Sequence, residues 1–159
     1  MLRLAASPIT TQYDIFLSHA FLDVDVVAGI HVLLERGGVK VYVDWIEDPL
    51  LDRAKVTPAT AEMLRRRMKM CRSLVYASSD ASPTSKWMPW ELGYFDGYRP
   101  GHVAILPLVE SVGQGFTGQE YLGLYPRFEL LDVGGQRLMG VRSSGRSVTA
   151  RSFARGTRH

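Results

Sequence analysis

The residue types best suited to chemistry lie in Ser85-Lys86-Trp87-Met88-Pro89-Trp90-Glu91-Leu92. Pro89 lacks an N–H and is tolerated only in the first turn of a helix, so a helix must begin between Ser85 and Met88. Glu91 then falls in or near the first turn, where the macrodipole favours a charged carboxylate. Trp87, four residues earlier, shares its face and can wall a pocket beside that charge. Taken alone, the same pattern fits an ordinary surface glutamate, and Trp87 and Trp90 read equally well as core or interface. Ser18-His19-Ala20 with Asp23 form a second polar group. No carboxylate or serine can be placed beside His19 from spacing, so it reads as a hydrogen-bonding loop residue. Asp44 is as readily a strand-end cap as a ligand contact.

Other chemistries are excluded or weak. Cys71 is the single cysteine, which rules out an intrachain disulfide and a cysteine-based zinc cage, and no metal site is expected. There is no H-E-x-x-H, P-loop or G-x-S-x-G pattern. Gly113-Gln114-Gly115-Phe116-Thr117-Gly118 does fit G-x-G-x-x-G, with Asp132 downstream. A dinucleotide fingerprint should open an apolar helix after the first strand of its unit, whereas this one leads into a glycine- and tyrosine-rich stretch.

The elements that must position these residues follow from the period of the apolar pattern. Tyr13 to Ser18 is a short apolar run of the kind found in buried parallel strands. From Val24 to Glu35, Val27, Ile30 and Leu34 repeat at helical spacing, with Asp23 or Asp25 placed to cap the start and Gly37-Gly38 to end it. Val39 to Asp44 alternates as a second strand. Trp45 to Val56 has no period and reads as a long loop. Thr57-Pro58 caps a second helix whose stripe is Ala61, Leu64, Met68 and Cys71, with Arg65, Arg66, Arg67 and Lys69 reading as a solvated face. Ser73 to Ser78 is a third strand, the helix bearing Glu91 runs to about Gly97, and His102 to Val109 is a fourth strand. Phe128 to Val133 and Leu138 to Arg142 suit short strands, and Ser147 to Ala154 a last helical turn or two. Such alternation specifies an α/β fold, an open parallel sheet with helices on both faces in three layers.

The 159 residues suit one domain, and 46 % apolar with 22 % charged residues is globular composition. We divide the chain into an N-terminal lead (1–12), a domain (13–135) and a basic C-terminal segment (136–159) that can supply the last strand and helix. The net charge of +3 is a property of that segment, which holds six arginines and no acid; without them 13 basic residues face 16 acidic ones. A solvated terminus is the plainer reading than a nucleic-acid site, because no aromatic residues are interleaved. No segment has the eighteen or so apolar residues of a membrane span, and Met1 to Gln12 lacks the apolar run of a secretory signal, so a cytoplasmic protein with no membrane partner is expected.

Two segments together resemble the Toll/interleukin-1 receptor (TIR) family. Tyr13-Asp14-Ile15-Phe16-Leu17-Ser18-His19, followed by Asp23, is similar to its opening strand and loop, and Ser85 to Leu92 to its third-helix motif of serine, tryptophan and a glutamate four residues beyond. Val41-Tyr42-Val43-Asp44 matches the second strand. Trp45 to Val56 occupies the variable loop through which TIR domains often assemble. The resemblance covers roughly Tyr13 to Val133. Phe116 to Pro126 resembles a segment of bacterial TIR-like proteins, including the sensor half of Thoeris antiphage systems.

The resemblance implies a flavodoxin-like TIR fold and, for the enzymatic members, cleavage of NAD+ at the nicotinamide–ribose bond, with Glu91 as the catalytic carboxylate. It implies NAD+ as substrate with no resident cofactor. Ser18, His19, Ala20, Asp23, Asp44, Trp45 and Trp87 are the expected substrate contacts. Some bacterial members release cyclic ADP-ribose or an isomer to a downstream effector. Two other readings stand beside this one: a non-enzymatic module that self-associates through Trp45 to Val56 and the third-helix surface, and a nucleoside deoxyribosyltransferase-like enzyme, which shares the α/β plan and a catalytic glutamate.

Overall fold

A computed structural model describes residues 12–108, 119–143 and 146–155. Among these residues seven strands form one sheet: β1 (Tyr13–Ser18), β2 (Val41–Tyr42), β3 (Cys71–Ser78), β4 (Val103–Pro107), β5 (Arg127–Val133), β6 (Gln136–Ser143) and β7 (Arg146–Thr149), in the order β2-β1-β3-β4-β5-β6-β7. The helices are α1 (Val24–Arg36), α2 (Asp44–Glu47), α3 (Pro58–Lys69), α4 (Met88–Tyr98) and α5 (Ala150–Arg155). All pairings from β2 through β5 are parallel.

Successive residues of the central strands point to opposite faces, so each strand feeds two cores. Leu74 and Tyr76 of β3 and Val103 and Ile105 of β4 pack with Leu64 and Met68 of α3 and Met88, Leu92 and Phe95 of α4. Val75, Ala77, Ala104 and Leu106 pack on the other side with Val27, Ile30 and Leu34 of α1 and Ala150 and Ala154 of α5. Burial on both faces is the reason these strands read as nearly unbroken apolar runs. The outcome is the three-layer α/β fold expected. Among the described residues no helix is long and apolar enough to cross a membrane.

The last part of the sheet departs from the all-parallel expectation. β5, β6 and β7 pair antiparallel. Gly134-Gly135 joins β5 to β6 with φ of 58° and 83°, the left-handed pair that a two-residue hairpin turn requires. So short a connection leaves no room for a crossover. Ser147 to Thr149, expected as helix, belong to β7, and the helix begins only at Ala150.

Three local expectations are also corrected. The strand expected over Val39 to Asp44 pairs with β1 only at Val41 and Tyr42, and the expected loop opens with the helical turn α2. Cys71 is the first residue of β3 rather than part of the α3 stripe. Arg67 does not lie on a solvated face: its side chain is 3 % exposed, and Nε and Nη2 donate to Asp48 Oδ2 and Oδ1 at 2.8 and 2.7 Å. The same carboxylate accepts from the Tyr42 hydroxyl at 2.8 Å. Charge pairing at close geometry makes the burial tolerable, and it ties the segment after α2 to α3.

Removing one member of a buried pair strands the other. Arg67→Ala is expected to lower stability by about 3–5 kcal/mol, measured by urea unfolding; a loss near that of an exposed ion pair would contradict the buried geometry.

Candidate active site

β1 lies between β2 and β3, so the crossovers around it diverge, and the crevice beyond the carboxyl ends of β1 and β3 is the position where open α/β sheets take ligands. Ser18 is the last residue of β1, and its Oγ donates to Glu91 Oε1 at 2.9 Å. Glu91 reaches that edge because Pro89 and the preceding 3-10 turn Ser82–Thr84 start α4 close to the end of β3. Its side chain is 0 % exposed, and Oε2 accepts no hydrogen bond from a described residue.

Arg53 completes the arrangement. Nη2 donates to Glu91 Oε1 at 3.1 Å, Nε lies 3.0 Å from Asp44 Oδ2, and Nη1 lies 3.4 Å from the His19 carbonyl. The backbone of Arg53 is anchored in turn: its carbonyl accepts from Trp87 Nε1 at 2.8 Å. Beyond the guanidinium opens a cleft of about 560 Å³, lined by His19, Ala20, Asp44, Trp45, Arg53 and Trp87 among others. Glu91 and Ser18 are not on its wall. Of the residues on that wall, Arg53 is bonded to Glu91.

His19 has the partners that spacing could not assign. Trp45 Nε1, a pure donor, lies 3.0 Å from His19 Nε2, so that nitrogen is the acceptor and Nδ1 carries the hydrogen donated to the Leu17 carbonyl at 2.9 Å. Burial lowers the His19 pKa, against the opposing field of Asp44, which keeps the ring neutral. Asp44, instead of ending a strand, opens α2, accepts from the Trp45 amide at 2.9 Å and pairs with Arg53.

Asp23 is not brought to the cleft wall. It makes no side-chain cap for α1 and instead accepts from Ser79 Oγ, linking the loops after β1 and β3. Of the expected contacts, the structure gathers Ser18, His19, Ala20, Asp44, Trp45 and Trp87 around Glu91 or along the cleft. The glycine pattern at 113–118 lies outside the described residues. Among the described residues no group of three or more His, Cys, Asp or Glu is placed to hold a metal ion.

Arg53 is the residue that sequence reasoning missed. It lies in a segment without period, and the carboxylates it serves, Asp44 and Glu91, meet only in the fold.

Glu91 titrates above the ordinary carboxylate range. Burial raises its pKa, with Arg53 and the Ser18 hydrogen bond opposing and the negative Asp44 adding to the rise. A folded-state value above the ordinary 4.5 means that Glu91 contributes its stability below that pH and loses it as pH rises through the folded value. Glu91→Gln, which never ionises, should therefore gain Tm relative to wild type between acid pH and neutrality. Thermal unfolding followed across that range reads the difference, and a gap that shrinks as pH rises would contradict the assigned burial.

No protein-family profile matches the chain. Two curated relatives do. One, from Bacillus cereus (strain MSX-D12), bears the provisional name 3' cyclic ADP-D-ribose synthase ThsB' and is 56 % identical over 115 residues, 72 % of this chain and 59 % of the relative. The other, from Cytobacillus dafuensis, bears the provisional name cyclic ADP-D-ribose synthase TIR2 and is 31 % identical over 83 residues, 52 % of this chain and 22 % of the relative. The aligned part of the chain thus spans about three fifths of the first relative's length and about a fifth of the second's. With the TIR-like opening strand and third-helix motif seated in a sheet of order β2-β1-β3-β4-β5, these matches show that the chain is similar to bacterial TIR-domain proteins.

Proposed function

We propose that the chain cleaves the nicotinamide–ribose bond of NAD+ and delivers an ADP-ribose-type product, cyclic in the manner the two relatives' names describe, as a signal to a downstream effector in bacterial antiphage immunity of the Thoeris kind. The observation that carries this reading is Glu91: a wholly buried carboxylate at the switch point of the sheet, with one oxygen unpartnered among the described residues. A buried polar atom left without a partner is destabilising, and buried titratable groups of this kind concentrate at working sites.

The chemistry asks for one carboxylate. Positive charge builds on the ribose as nicotinamide departs, so a fixed negative group beneath the ring stabilises the transition state more than the ground state. Ordinary glycosidases need a second carboxyl to protonate the leaving group. Nicotinamide is cationic while bound and leaves neutral, so no acid is required. Ser18, bonded to Oε1, orients the carboxylate. Trp87 and Trp45 supply aromatic walls to the cleft. His19 Nε2 is engaged by an indole N–H, so it serves as a polar contact here and not as a base.

An assembly role is compatible with this chemistry and has its own support. Trp45, Ile46, Leu50 and Val56 are exposed apolar residues within one short segment, and Phe21 and Leu22 are still more exposed. Such surface suits contact between copies. Molar mass by light scattering should then rise with concentration, and a constant monomer mass up to high concentration would remove self-association from the proposal.

Incubating purified protein with NAD+ and resolving products by mass spectrometry tests the reaction. Glu91→Gln is expected to lose at least about a hundredfold in nicotinamide release, the scale of one electrostatic stabiliser. An unaltered rate would remove Glu91 from the mechanism. Turnover of deoxynucleosides in place of NAD+ would favour the transferase-like alternative.

A further inference from the structure

Arg53 both lines the cleft and holds Glu91, which does not line it. Its side chain is 21 % exposed and forms part of the cleft wall, while the carboxylate it holds has no exposure at all. While this contact holds, a ribose in the cleft meets a guanidinium and not the carboxylate. The contact must therefore open for any chemistry at Glu91. The question is what opens it.

Two arginines in this protein hold carboxylates in different ways. Arg67 grips Asp48 through two short bonds in the planar fork that guanidinium and carboxylate prefer. Arg53 has no such fork. It spends Nη2 on Glu91 at 3.1 Å, Nε on Asp44 at 3.0 Å and Nη1 on a carbonyl at 3.4 Å, one contact to each of three groups on three segments. A guanidinium held this way is open to exchange for an anion that can offer it two oxygens at once.

The surroundings favour that exchange. The Arg53 carbonyl is fixed by Trp87 Nε1, so the side chain can swing while its backbone stays. Lys86 lines the same cleft and is tethered by its Nζ to the Ala54 carbonyl at 3.1 Å, which places a second cation on that wall. Asp44 stays behind as a partner for Nε. Withdrawing Nη2 leaves Glu91 uncompensated in a buried place, the condition in which it most strongly attracts a cationic ribose.

We propose that Arg53 reads the diphosphate of the substrate, giving up Glu91 for phosphate oxygens, so that a dinucleotide uncovers the carboxylate by binding. This rests on the NAD+ reading for its substrate and adds a residue and a role to it. Arg53 acts as a specificity and positioning residue. Selectivity for a diphosphate-bearing nucleotide follows, because a ligand without the diphosphate has nothing to draw the guanidinium away.

The exchange makes Glu91 a competitor of the ligand, and that can be measured without turnover. Calorimetric titration with ADP-ribose, which carries the diphosphate and no nicotinamide, is to be run on wild type, Glu91→Gln, Arg53→Ala and the double variant. Freeing Arg53 by Glu91→Gln should tighten binding by about fivefold or more, the low end of coupled-site effects. Arg53→Ala should weaken it by at least about tenfold, the scale of one charged hydrogen bond. The double variant, which removes both charges and so avoids an unbalanced buried carboxylate, should bind as weakly as Arg53→Ala.

A purely structural Arg53 predicts the opposite sign for Glu91→Gln, since breaking the network would loosen the site. Unchanged or weaker ADP-ribose binding in Glu91→Gln overturns the proposal, as does undiminished binding in the double variant or no binding to wild type. Arg53-dependent ADP-ribose binding without nicotinamide release from NAD+ would refute the glycohydrolase reading alone, whereas release with Arg53-independent binding would refute this one alone.

Discussion

The structure is organised around a negative charge kept out of water. Glu91 has no exposure, yet it sits at the sheet edge where ligands bind, held through one oxygen by Ser18 and Arg53. An ionised group in such a place is expensive unless paired. The pairing requires three segments distant in sequence to meet: the end of β1, the segment after α2 and the start of α4. Their meeting is a consequence of sheet order, since β1 and β3 are neighbours and both discharge their chains at the same edge.

The segment between α2 and α3 is where stability and chemistry divide. Asp48 at its start is locked by Arg67 and Tyr42 in a fully paired buried cluster. Five residues later Arg53 makes looser, divided contacts at the cleft. The first cluster fixes the path of the chain and the second leaves a side chain able to exchange partners. A loop that carries function needs both, a rigid attachment and a group whose alternatives lie close in energy. The raised pKa of Glu91 belongs to the same compromise, because a well-solvated carboxylate would be more comfortable in the fold and less attractive to a cation.

The strands β5 to β7 extend the sheet away from the site. Val141 on β6 and Ala150 and Ala154 on α5 join the core beneath α1, so the arginine-rich end of the chain carries apolar anchors between its charges. Arg142 pairs with Glu129 across the strands at 2.7 Å. The basic balance of the whole chain is therefore in part a property of sheet surface.

Local patterns determined much of this protein. Helical spacing of apolar residues marked α1 and α3, and short apolar runs marked β1 and β3, because a helix packed on one face shows its period while a strand buried on both faces reads as a run. Pro89 placed the start of α4 within a few residues because its ring admits few positions. What tertiary structure decided was every feature that depends on a partner far along the chain. Arg67 looked like its solvated neighbours because nothing local announces that Asp48, nineteen residues earlier, folds back beneath it. The β5–β6 hairpin hid in a glycine pair whose turn is defined by two positive φ angles, not by an apolar repeat. Arg53 was invisible for the same reason. Its role comes from Asp44 and Glu91 converging on one guanidinium, and convergence is a property of the folded sheet that no window along the sequence contains.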